Sequence, residues 1–96
     1  MTTKKYHLTP IHPGEVLKDE LEELGITPAV LAEHIGVPPQ AIDAICATDQ
    51  GISAAIAMKL SRALGASPQF WLNLQNNWEL SQLDEADYQD ISLVAA

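Results

Sequence analysis

The chain has 96 residues, 47% of them hydrophobic, with five Lys and Arg against thirteen Asp and Glu for a net charge of −8. That length points to one domain, able to bury roughly 60–70% of the surface its unfolded chain exposes. The apolar content excludes a disordered chain, and the acidic balance counts against a general polyanion binder, which carries a basic patch.

In chain order, Lys4 and Lys5 open with +2, and Lys5–Leu8 is one of two short stretches compatible with a strand. His7 and His12 lie in what reads as an extended arm, where two imidazoles without fixed geometry make no metal site. Val16, Leu17, Leu21 and Leu24 recur at helical spacing and predict a first helix over about residues 14–24, ended by Gly25. Its other positions hold Glu15, Asp19, Glu20, Glu22 and Glu23 against Lys18, a solvated acidic face. Pairs such as Asp19/Glu23 there lack the cleft that catalytic carboxylates need.

Thr27 is a good N-cap and Pro28 a good first helical residue, so a second helix follows, with Leu31, Ala32 and Ile35 inward and Gly36 at its end. Pro38-Pro39 opens a third helix, lined on its apolar side by Ile42, Ile45 and Cys46. Cys46, the only cysteine, excludes an internal disulfide and reads as an apolar filler. His34 lies one helix away, with no third group to orient a Cys–His pair. Ser53 caps a fourth helix with Ile56, Ala57, Leu60, Ala63 and Leu64 inside, Lys59 and Arg62 outside, and Gly65 at its end. Ser67-Pro68 starts a fifth helix carrying Phe70, Trp71, Leu74 and Trp78, more aromatic surface than one small core needs. These four side chains are expected to form a dimer face together with the fourth helix. Glu79, Asp84, Glu85, Asp87 and Asp90 then add −5, and the tail ends in Ile91, Leu93 and Val94, the second strand-compatible stretch. The expectation is a single all-α domain over residues 1–96, with an ordered core at about 11–83 and an acidic tail at 84–96. No apolar run approaches the ~18 residues of a membrane span. The reading is therefore a cytoplasmic protein with no membrane contact and no cofactor.

Residues 27–52 carry the informative constellation. A helix-turn-helix needs two short helices set at a steep angle around a tight turn. Gly36 supplies the residue tolerant of φ > 0, Ala32 is small where the helices approach, and Val37 packs behind the turn.

Longer motifs point the same way. Ile11-His12-Pro13-Gly14-Glu15 resembles the opening of the antitoxin family related to HigA and VapI. Leu31-Ala32 with Ile35-Gly36-Val37-Pro38-Pro39 resembles its helix-turn-helix. Gly51-Ile52-Ser53 with Ala57, Leu60 and Leu64-Gly65 resembles its fourth helix, and Ser67-Pro68-Gln69-Phe70-Trp71-Leu72-Asn73-Leu74-Gln75 its most distinctive stretch. The resemblance spans about residues 11–80. It implies a five-helix lambda-repressor-like (Xre/Cro) helix-turn-helix fold and no enzymatic activity. It also implies a homodimer that represses its own operon and neutralises a toxin, often a RelE-like mRNA-cleaving enzyme.

In that fold the start of the third helix enters the major groove. The implied reading positions are Thr27, Gln40, Ala41, Asp43, Ala44 and Gln50. Gln40 suits adenine and alanine the thymine methyl, whereas Asp43 accepts only from cytosine and repels phosphate. Family members often carry Ser-Arg at the positions of Gln40 and Ala41, Asn at that of Asp43, and Asn-Gly-Lys-Arg-Gly where this chain has Ala47-Thr48-Asp49-Gln50-Gly51. No Lys or Arg occurs from Ile26 to Ser53. Each phosphate neutralised contributes about −0.9 to the salt slope of binding, so this segment forfeits most of that attraction. The expectation is operator binding that is weak for the chain alone, with Lys4, Lys5, Lys59, Arg62 or a basic toxin making up charge. The alternative reading is an acidic protein–protein module that kept the fold and lost sequence-specific DNA binding.

Overall fold

The computed structural model describes residues 10–95. Five α-helices follow one another: α1 (Pro13–Leu24), α2 (Pro28–Ile35), α3 (Pro39–Cys46), α4 (Ala54–Leu64) and α5 (Pro68–Ser81), with a 3₁₀ turn at Glu85–Tyr88. No strand occurs among the described residues: Ile91–Val94 is exposed and irregular, while Lys5–Leu8 and His7 lie outside them.

Local chemistry sets the boundaries. The Thr27, Ser53 and Ser67 hydroxyls accept from the amides of Val30, Ile56 and Phe70 at 3.2, 3.2 and 3.1 Å, each satisfying one orphan donor of a first turn. His12 corrects the sequence expectation. It is not in an extended arm but is 2% exposed, and its Nδ1 accepts from the Gly14 amide at 2.9 Å as the N-cap of α1. Helix α2 ends at Gly36, whose φ of 75° admits a pair of closing bonds: Gly36 N–H to the Glu33 carbonyl and Val37 N–H to that of Ala32. That double closure turns Val37 back onto the core, where it is half-buried.

The core is built from Leu17 and Leu21 of α1, Leu31 and Ala32 of α2, Ile42 and Ile45 of α3, Ile52 of the following loop, Ala57 and Leu60 of α4, and Trp71 of α5. With eight residues each, α2 and α3 are too short to persist alone, so this shared burial holds them. They pack on each other, α3 also on α1, and α4 on α5. Cys46 is half-buried against the cluster, as a filler. Leu24, by contrast, turns outward and is 56% exposed, because the apolar stripe of α1 ends at Leu21.

Candidate nucleic-acid interface

Burial of Ile42 and Ile45 fixes which face of α3 looks outward. Residues one helical turn apart share a face, so Pro39, Gln40, Asp43 and Ala47 form an exposed stripe, flanked by half-buried Ala41 and Ala44. Helix α3 starts from Pro38 with no side-chain cap, so its first-turn amides are not covered by a protein side chain. Such amides and the helix dipole favour an anionic group.

Thr27 is exposed at the start of α2; its hydroxyl oxygen is held by the Val30 amide, and the O–H stays able to donate. Pro28, beside it, lines a groove of about 330 Å³ together with Asp43 and Cys46 of α3 and Ala47 just after it. The start of α2 and the outward face of α3 therefore converge. Gln50 is exposed in the loop that leaves α3, where its amide and that of Asp49 both donate to the Ala44 carbonyl, at 3.2 and 2.9 Å. All six positions named from the sequence are thus surface or half-surface groups of one helix-turn-helix unit.

Lys18 is the residue that sequence reasoning passed over. It stands on α1, nine residues before Thr27, yet it lines the same groove as Asp43, with Glu22 also in the lining. The signal was present: Lys18 adjoins buried Leu17, and α1 packs on α3. Burial pushes the Cys46 thiol above its usual range, Asp43 adds to that, and the Lys18 ammonium opposes it. An inert thiol and a cation thus share this groove.

Lys59 and Arg62 sit elsewhere, in a second groove with His34, Ile35 and Met58 between α2 and α4. The Lys59 ammonium donates to the Ile35 carbonyl at 3.0 Å and closes the C-terminal end of α2. Lys4 and Lys5 lie outside the described residues. Among the described residues no cluster of three or more His, Cys, Asp or Glu is arranged to hold a metal ion, and no helix is long and apolar enough to cross a membrane.

The four aromatic and aliphatic positions on α5 divide. Trp71 is 1% exposed and spent within the core, its Nε1 having no hydrogen-bond partner among the described residues. Phe70 is 43% exposed and meets Trp71 edge-on at 5.2 Å, while Leu74 and Trp78 are half-buried. Only those last three retain surface for a partner.

The helix-turn-helix family matches residues 17–71. The chain is similar to Virulence-associated protein I of Dichelobacter nodosus, 36% identical over 91 residues, which is 94% of this chain and 83% of that protein. It is similar to Antitoxin HigA-1 of Vibrio cholerae, 40% identical over 78 residues, covering 80% of this chain and 73% of the relative. Among solved structures, it superimposes with a TM-score of 0.81 on the Pseudomonas aeruginosa antitoxin HigA with the higBA promoter, at 38% identity over 90% of this chain and 99% of the other.

Proposed function

This chain belongs to the helix-turn-helix family that includes the HigA antitoxins and VapI, a family of regulators rather than enzymes, and from that premise we propose that it is an antitoxin that represses its own operon. The carrying observation is that the start of α2 and the outward side of α3 share one groove lined by Pro28 and Asp43, with Thr27, Gln40 and Gln50 exposed and Ala41 and Ala44 half-buried. Side chains at the start of α3 would read base edges while the ends of α2 and of the 47–52 loop lie along the backbone.

The electrostatics give this reading its particular form. Between Ile26 and Ser53 there is no cation, Asp43 faces outward, and Lys18 is the one basic group that the described fold brings to this groove. Operator binding by the chain alone is therefore weak and only shallowly salt-dependent, resting on amides, glutamines and close fit more than on phosphate charge. The neutralised partner is a small basic RNA-cleaving enzyme of the RelE-like class, attracted by the acidic face of α1 and by the tail. Its positive charge would strengthen operator binding in the complex. The protein acts in the cytoplasm as a homodimer through α4 and α5, with Phe70, Leu74 and Trp78 as the anchors that keep surface free. Similarity to a promoter-bound antitoxin supports this reading over an acidic module that has lost DNA.

A fluorescence-anisotropy titration tests it, using a duplex of the chain's own upstream region at low salt, with and without the product of the adjacent reading frame. The expected result is weak specific binding that tightens when the partner is present. Nanomolar specific binding by the chain alone overturns the weakness; no specific binding under either condition overturns the regulator.

A further inference from the structure

The loop that carries Gln50 is anchored at both ends, and the second anchor comes from a helix with no part in the reading face. At its start, Thr48 donates its amide to the Ile45 carbonyl, and Asp49 and Gln50 donate theirs to that of Ala44. Thr48 adopts φ 62°, in the left-handed region that a β-branched residue rarely enters, so the loop follows a path its own sequence does not favour. At its end, the buried amide of Ile52 donates to Gln75 Oε1 at 2.7 Å, a bond spanning 23 residues.

Gln75 lies on α5, is 6% exposed, and is engaged at both ends. Its Nε2 donates to the Glu79 carboxylate at 2.8 Å, one turn further along the same helix. A carboxylate accepts and never donates. Glu79 therefore fixes the orientation of the amide, turning the nitrogen toward itself and the oxygen toward Ile52. Gly51 completes the arrangement: a Cβ there would stand 2.6–2.8 Å from the Gln75 carboxamide atoms, so the loop passes too close for any larger residue unless that amide gives way.

We infer that Gln75, aimed by Glu79, is a positioning residue for DNA binding: it sets the pose of the 47–52 loop, and so of Gln50, from a helix outside the helix-turn-helix. This rests on the proposed function above. An apolar residue of similar size in its place would fill the space and leave the Ile52 N–H buried without a partner, which is costly.

The test uses the full chain and the variants Gln75→Met, Gln75→Glu and Gln75→Glu/Glu79→Gln. Amide hydrogen exchange is read at Ile52 against Leu60, and affinity is read on the upstream duplex against a scrambled duplex of equal length. In Gln75→Met the Ile52 amide exchanges at least about tenfold faster relative to Leu60. Affinity falls about five- to tenfold for the upstream and the scrambled duplex alike, because the 47–52 loop lies along the phosphate backbone. Gln75→Glu keeps an oxygen that accepts from Ile52 but sets two carboxylates side by side, so it loses the Glu79 bond and its affinity falls less than that of Gln75→Met. The double variant swaps donor and acceptor, restores both bonds, and recovers affinity to within about threefold. Unchanged protection of Ile52 in Gln75→Met overturns the inference, as does lost protection with unchanged affinity for both duplexes. A parent chain that prefers neither duplex, with or without the product of the adjacent reading frame, overturns the proposed function and with it the reading role, and the exchange data then decide the anchor alone.

Discussion

The imidazole of His12 meets the indole of Trp78 edge to face, with ring centroids 4.7 Å apart and planes at 79°. This contact joins the first residue before α1 to the second half of α5. It also seals the cap in which His12 Nδ1 accepts from Gly14. An accepting Nδ1 carries no proton, so the folded chain holds the neutral ring.

Burial lowers the His12 pKa below its usual 6.5, with Glu15 pulling weakly the other way. The unfolded chain therefore binds the proton more readily than the folded one, and stability falls as pH drops from about 6.5 through the lowered value. Asn at position 12 keeps an N-cap acceptor but does not titrate. Thermal denaturation between about pH 7.5 and 5.5 should show a shallower decline in Tm for His12→Asn than for the parent, on a lower baseline because the ring contact, about 0.5–1.5 kcal/mol, is gone. Parallel curves would show that His12 is not the titrating group.

Gly14 sits where α1 crosses the end of α3. A Cβ there would overlap the Ile45 carbonyl oxygen, which is backbone and cannot swing aside. Gly14→Ala should cost about 2–3 kcal/mol, read from urea denaturation, despite alanine's better helix propensity. A stabilised variant would mean that the two helices do not approach this closely.

Lys18 and Asp43 line one groove on the reading face and should act in opposite senses. Lys18→Ala should flatten the plot of log affinity against log salt by about one unit, with weaker binding to all duplexes alike. Asp43→Asn removes a charge that repels phosphate and should raise affinity severalfold, most at low salt. A salt slope unchanged in Lys18→Ala would remove that residue from the interface.

The α5 positions give a graded expectation. Phe70→Asp should weaken self-association at least about tenfold in sedimentation velocity while leaving the fold intact, because the ring is 43% exposed. Trp71→Ala should instead cost about 3–5 kcal/mol of stability, since that ring is core. Equal monomer–dimer behaviour in the parent and Phe70→Asp would place any dimer face elsewhere.

Much of this protein is legible in one dimension, because its signals are local. Thr27-Pro28, Ser53 and Ser67-Pro68 start helices through bonds reaching only three residues, and Gly25, Gly36 and Gly65 end them through their own backbone freedom. The spacing of Leu31, Ala32, Ile35, Ile42 and Ile45 sets the buried side of the helix-turn-helix, and so leaves Gln40 and Asp43 outside. What tertiary structure decided depends on residues distant in sequence. Nothing near Lys18 says that α1 brings it to the groove that Asp43 lines, and nothing near Gln75 says that its carboxamide ends on the amide of Ile52. His12 read as part of an arm because a histidine N-cap is an uncommon signal, and its burial needs the Trp78 ring from the other end of the chain. Trp71 and Phe70 are neighbours with the same apolar character, yet a rotation of about 100° per residue sends one into the core and leaves the other half outside. Helix periodicity predicts that they differ; only packing of α5 on α4 and α1 determines which is which.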